Sequence, residues 1–180
     1  MSGHSHWAGI KHKKGATDRK RAQVFSKLLT AISVAAKAEQ NPDFNPRLRA
    51  AIEKARENKV PAENIERAVK KASEAGANIE ELVFEAYGPG GAAILIEAMS
   101  DNKNRMVQEI KQLLHELGGK WAENGSVRWA FEPLGTAGWK AKFLQEIPSE
   151  EKKGFLKLVE ALEEHEAVQR VYTNAKQPLS

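Results

Sequence analysis

The spacing of apolar residues changes from a helical to a strand period near Asn78, which limits the chain to a helical part followed by a mixed one. Ahead of that point, Val24, Phe25, Leu28, Leu29, Ile32 and Ala36 recur at three- and four-residue steps. They predict one helix from Thr17 or Asp18, a capping residue type, to near Ala38. A second helix is predicted after Asn45 as N-cap and Pro46 at the first helical position, with Leu48, Ile52 and Ala55 turned inward. A third starts near Pro61, buries Ile65, Ala68, Val69 and Ala72, and stops at Gly76.

Past Asn78, Phe84 and Ala86 alternate with Glu85 and Tyr87, "GPGG" intervenes, and Ile94, Ile96 and Ala98 alternate with Leu95, Glu97 and Met99. That is the pattern of a hairpin. Ser100 or Asp101 is the expected cap of a helix bearing Met106, Ile110, Leu113, Leu114 and Leu117, closed by Gly118 and Gly119. Val127, Trp129 and Phe131 read as one strand face, and Trp139, Ala141 and Phe143 as another. Ser149 is the expected cap of a last helix with Leu156, Val159 and Leu162 inside, and "AVQRVYT" reads as a closing strand. The expected fold class is therefore α + α/β. A three-helix domain with a basic arm occupies residues 1–78, and residues 79–180 form a mainly antiparallel sheet covered by two helices, in the order β-β-α-β-β-α-β.

Charge divides at the same place. Residues 1–78 carry 16 Lys and Arg against 8 Asp and Glu, whereas residues 79–180 carry 12 against 16. A net +8 followed by a net −4 points to polyanion binding in the first part and a different task in the second. The chain has no cysteine, which excludes a disulfide scaffold, a thiolate metal site and a cysteine nucleophile. No run approaches a membrane span and no secretory signal is legible, so the expectation is a cytoplasmic protein with no membrane partner.

The positive charge is densest in "GHSHWAGIKHKKGATDRKRAQ" at positions 3–23, and three readings of it compete. His4, His6 and His12 offer imidazoles to a metal, but a closed zinc site needs four ligands on a rigid frame and no fourth is near, so no metal or cofactor is expected. A transit peptide would be followed by a mature start, whereas this run passes directly into the first helix. A nucleic-acid-binding arm accounts for more of the residue types. Lys11, Lys13, Lys14, Arg19, Lys20, Arg21 and Lys27 can neutralise phosphates, Trp7 and the imidazoles can stack on bases, and Gly3, Gly9 and Gly15 permit close approach. The bland alternative is a solvated basic tail.

Elsewhere the signals are thinner. "GPGG" lacks the following helix and Lys-Ser/Thr pair of a phosphate loop and reads as a turn. "SDNKNRMVQ" lies where a strand meets a helix, so Asn102, Lys103, Asn104 and Arg105 surround free amides and the positive helix end; an anion contact and ordinary capping by Ser100 or Asp101 explain it equally well. His115 and His165 are isolated, and Glu150-Glu151 and Glu163-Glu164 read as surface charge. No nucleophile with a neighbouring base is legible, and no enzymatic activity is expected.

Five segments in order, "GHSHWAGIKHKKGATDRKRAQVFSKL", "NPRLRAAIEKARENKVPAENIERAVKKA", "EAYGPGGAAILIEAMSDNKNRMVQEI", "GGKWAENGSVRWAFE" and "VQRVYTN", resemble signatures of the YebC/PmpR family. The resemblance runs over nearly the whole chain. It implies a helical N-terminal domain with a basic arm, α/β domains after it, and no catalysis. It also implies one of two activities: a ribosome-associated translation factor that relieves stalling on proline-rich stretches, or a DNA-binding transcriptional regulator. The arm motif falls on His4, Trp7, Lys11, His12, Lys13, Lys14, Lys20, Arg21 and Lys27, and the family's Asp-Asn-Arg-Asn-Arg-like segment on Asn102 and Arg105. Two departures stand out. Position 6 is His where the family usually has Lys, and the stretch from Phe131 to Asn174 reads as a short form without the inserted third domain.

Between the two activities the residues favour RNA. Were the second and third helices a helix-turn-helix, the leading turn of the third would meet base edges with Glu63, Asn64 and Glu66. Two acids there oppose the phosphates, although Asn64 can read an adenine. The expected partner is the ribosome or ribosomal RNA, with duplex DNA as the alternative and a monomer as the favoured state.

Overall fold

The computed structural model describes residues 18–74 and 78–176. The chain separates into two compact units, one essentially helical and one containing the sheet. The expected Thr17 cap and Gly76 stop lie outside the described residues.

In the helical unit, α1 (Asp18–Ala36) packs along both α2 (Pro46–Glu57) and α3 (Ala62–Lys71). Its apolar stripe works as the spacing predicts: Phe25, Leu28 and Leu29 pack against a core that includes Ile32, Leu48, Ile52 and Ile65. Asn45 holds the corner. Its side-chain oxygen accepts from the Leu48 N–H at 3.0 Å, capping α2 with Pro46 at the first position. Its amide nitrogen donates to the carbonyls of Ala35 (2.9 Å) and Glu39 (2.7 Å), closing the end of α1. One buried side chain thus satisfies groups at two helix ends. The α2 terminus is less legible from sequence: Lys59 adopts φ +62° where glycine is usual, and the N–H groups of Lys59 and Val60 return to the carbonyls of Arg56 and Ala55 at 3.0 Å. Val60 is buried beneath that turn.

In the second unit, β1 (Glu80–Tyr87) and β2 (Ala93–Ser100) are neighbours joined by the glycine turn, in which Gly90 and Gly91 take φ +82° and +83°. Then follow α4 (Lys103–Glu116), β3 (Lys120–Ala122), β4 (Phe131–Pro133), β5 (Trp139–Ala141), α5 (Lys152–Glu164) and β6 (Val168–Thr173). The main sheet has the order β3-β1-β2-β6, and β4 with β5 forms a separate antiparallel ribbon. β3 pairs antiparallel with β1, and β6 with β2.

Alternation along β1 and β2 assigns the two faces. Phe84, Ile94 and Ile96 meet Met106, Ile110, Leu114, Phe155 and Leu158 of the two helices. Leu95 looks the other way, towards Val127, Ala130, Phe131 and Tyr172, so the ribbon and its approach cover the second face.

Three expectations about local structure need correction. The run Val127-Trp129-Phe131 is not a strand face: residues Arg128–Ala130 form a single 3-10 turn, and only Phe131 begins β4. Val127, Ala130 and Phe131 are buried while Trp129 is exposed, so the apolar alternation in the sequence does not become an alternation of burial. The third strand is instead β3, whose three residues are too few to display a period. Asn102, rather than Ser100 or Asp101, caps α4, because β2 continues to Ser100. Ser149 does not cap α5. A turn from the Pro148 carbonyl to the Glu151 N–H (2.9 Å) precedes that helix, which starts with no side-chain cap at Glu151 and turns Phe155 into the core.

Candidate nucleic-acid interface

Of the arm residues, His4, Trp7, Lys11, His12, Lys13 and Lys14 lie outside the described residues. Arg19, Lys20 and Arg21 follow Asp18 at the start of α1, all three exposed. Lys20 and Lys27, seven residues apart, share a line of the helix away from the apolar stripe, and Lys27 is half-buried. Arg21 stands one turn before Phe25, in line with the stripe but beyond the core. Among the described residues, Arg19, Lys20 and Arg21 make no ion pair, in contrast to Arg67, held at 2.7 Å by Glu63 across one turn of α3. Three adjacent cations without carboxylate partners leave a strongly positive start to the helix.

Asn102 and Arg105 share the first turn of α4 and act on each other. The Asn102 side-chain oxygen accepts the Arg105 N–H at 3.0 Å, which uses one of the amides an anion would otherwise take. The Arg105 guanidinium sits 3.8 Å from Glu109, whose other oxygen is 3.0 Å from the His165 ring. The turn is thus occupied by its own capping and pairing.

The acids that sequence reading left unassigned are structural anchors. The Glu85 side chain is only 1% exposed and accepts three backbone N–H bonds, from Gly125 (2.6 Å), Val127 (2.8 Å) and Arg128 (2.9 Å). Burial pushes its carboxyl upward, but those three bonds and the nearby Arg128 charge outweigh it and hold the group below its ordinary range. Glu97 on β2 accepts from the Trp139 indole (2.9 Å), Arg170 (2.9 Å) and the Tyr172 hydroxyl (3.2 Å), which ties the ribbon to the sheet. Burial, with Glu97 beside it, drives the Tyr172 hydroxyl far above its usual range. Gly138 is required there: at φ +97° a Cβ would collide with the Tyr172 hydroxyl.

One feature escaped sequence reasoning. Trp129 is 62% exposed, and its ring lies 5.6 Å from that of Phe143, itself 43% exposed. The available signal was basic residues beside aromatics in "VRWAF" and "WKAKF", masked by their resemblance to strands.

Two family profiles match in succession: that described as the TACO1/YebC protein N-terminal domain over residues 5–75, and that described as the TACO1/YebC second and third domain over residues 79–142. The chain belongs to the TACO1/YebC family. A probable transcriptional regulatory protein of Chloroherpeton thalassium is 52% identical over 139 residues, 76% of this chain and 56% of the relative. Another so named, from Dehalococcoides mccartyi, is 51% identical over 141 residues, 77% of this chain and 56% of its own length. The chain thus spans about half the length of the curated relatives it matches. A crystal structure of a conserved hypothetical protein from Aquifex aeolicus superposes with a TM-score of 0.87 at 31% identity, covering 97% of this chain and 98% of that one. Beyond the matched region, α5 and β6 return to the same sheet, with β6 directly beside β2. No helix among the described residues is long and apolar enough to cross a membrane.

Proposed function

We propose that this TACO1/YebC protein is an RNA-binding translation factor that associates with the ribosome, where it relieves stalling on difficult, proline-rich sequences, and that it acts by binding without catalytic turnover. The observation that carries the reading is the charge at the start of α1: Arg19, Lys20 and Arg21 are exposed without an ion pair among the described residues, and they continue the basic run of Lys11, Lys13 and Lys14. A set of cations with glycines, histidines and a tryptophan suits an uneven RNA surface, where stacking and phosphate contacts combine.

A second reading, transcriptional regulation through duplex DNA, is favoured by the names of the relatives. The helical geometry supports it less. α2 and α3 each pack chiefly on α1 rather than on each other, and the first turn of α3 exposes Glu63, which holds Arg67. A recognition helix would meet phosphates with that acid. The deciding experiment measures binding of the full chain to ribosomes and to duplex DNA at the same ionic strength. Retention on ribosomes with weak, sequence-independent duplex binding is the expected result; tight, sequence-selective duplex binding without ribosome association would establish the regulator.

A further inference from the structure

The exposed aromatic pair of the sheet-containing unit has no role in its core. Trp129 and Phe143 stand side by side with their rings inclined by 30°, and Leu144 beside them is 60% exposed. The other aromatics of this unit are buried (Phe84, Phe131, Phe155, Tyr172) or half-buried (Tyr87, Trp121, Trp139). The exposed rings sit on a held framework rather than a slack loop. The Trp129 indole N–H donates to the Ser126 carbonyl at 2.8 Å, which fixes the ring's direction. The backbone beneath it is pinned by Glu85 through Gly125, Val127 and Arg128. The segment carrying Phe143 is tied at both ends, Lys142 N–H to the Ala130 carbonyl at 2.9 Å and Gln145 N–H to the Asn174 carbonyl at 2.7 Å.

Charge identifies the occupant. Residues 127–144 contain Arg128, Lys140 and Lys142 against Glu132 alone, within a half of the chain whose net charge is negative. Lys142 is exposed next to Phe143, and Lys140 is only loosely paired, 3.9 Å from Glu132. Aromatic faces bordered by cations in an otherwise acidic unit match a strand that offers flat bases and phosphates together. Area argues against a second copy of the chain. Three partly exposed side chains of this size present on the order of 300 Å² of apolar surface, against about 800 Å² per partner in a stable interface.

We infer that Trp129 and Phe143 form a stacking platform for unpaired nucleic-acid bases, with Lys142, exposed next to Phe143, serving the adjacent phosphates. The platform is separate from the arm and gives the sheet-containing unit its own contact with single-stranded RNA. The inference rests on the nucleic-acid-binding reading above.

Its test uses the full chain and fluorescein-labelled 12-nucleotide unstructured RNA, a DNA strand of the same sequence, and the corresponding duplex, read by anisotropy. The Trp129→Ala/Phe143→Ala variant should lose about fivefold or more in single-strand affinity, with an unchanged salt slope and unchanged duplex binding. Loss with RNA alone assigns the platform to RNA, and equal loss with both strands assigns it to bases of either kind. Lys142→Glu, an exposed site outside the core, should weaken single-strand binding independently and reduce the salt slope by about one. Wild-type affinity in both variants, with unaltered circular dichroism, overturns the platform while leaving the arm intact. Failure of the wild-type chain to bind any of the probes overturns the platform and the broader reading together.

Discussion

Replacing Glu85 by Gln changes one atom's chemistry and should cost much of the stability of the unit that carries the exposed aromatics. Both carboxylate oxygens are engaged: Oε1 accepts from Gly125, and Oε2 accepts from Val127 and Arg128. An amide keeps one acceptor, so its –NH2 must face at least one backbone N–H in either orientation. The better orientation sacrifices the Gly125 bond; the other sacrifices two. A lost bond to a charged acceptor is worth about 1.5–3 kcal/mol, and an opposed pair of donors adds to it, for a total of about 2–4 kcal/mol. The loss of the carboxylate also leaves Arg128, 3.9 Å away and with its Nε buried without a hydrogen bond, lacking its counter-charge. The assay is urea denaturation of both proteins across acidic to neutral pH. Because the folded carboxyl is held below its ordinary 4.5, the unfolded chain binds more protons in the intervening window and stability rises with pH there. The wild-type advantage should therefore be full above about pH 5 and shrink as pH falls through the folded value. A cost below about 1 kcal/mol, or one independent of pH, refutes this account of Glu85.

Asn45→Ala should destabilise the helical unit by about 2–3 kcal/mol in denaturant melts, since it removes the α2 cap and two further bonds at the end of α1. Gly138→Ala should cost about 2 kcal/mol or more by thermal melting, because φ +97° is strained for alanine and the new Cβ would displace the Tyr172 hydroxyl from Glu97. Asn102→Ala should cost about 1 kcal/mol through the lost α4 cap. Asn102→Asp should restore that stability, and RNA affinity measured beside it should follow stability rather than the presence of the amide.

The helical part was legible because its signals are local and redundant: an apolar stripe of several turns on α1, and the Asn45-Pro46 start of α2. The alternation of β1 and β2 was legible for the same reason, as each strand has eight residues and both faces are covered. What failed was short or had equal competitors. β3 has three residues, and the run Ser100-Asp101-Asn102 holds three competent caps, among which only the extent of β2 decides. The basic run at positions 3–23 is read from composition, which needs no tertiary information. The exposure of Trp129 was not legible, because a tryptophan between Val127 and Phe131 has the pattern of a core strand until a 3-10 turn rotates it outward.

The central claim, that the basic charge running from Lys11 into α1 binds ribosomal RNA, is tested most directly by co-sedimenting ribosomes with the wild-type chain and with the variant in which Lys13, Lys14, Lys20 and Arg21 are all replaced by Ala. Neither Lys20 nor Arg21 contributes to the helical core, so circular dichroism should be unchanged. With about half of the seven basic side chains neutralising phosphates, wild-type log K should fall against log salt with a slope of roughly −2 to −3, a loss of about thirtyfold between about 50 and 200 mM. The account predicts that the variant stays folded, leaves the ribosome fraction and shows a flatter slope. A folded variant that still sediments with ribosomes at the wild-type slope would contradict it.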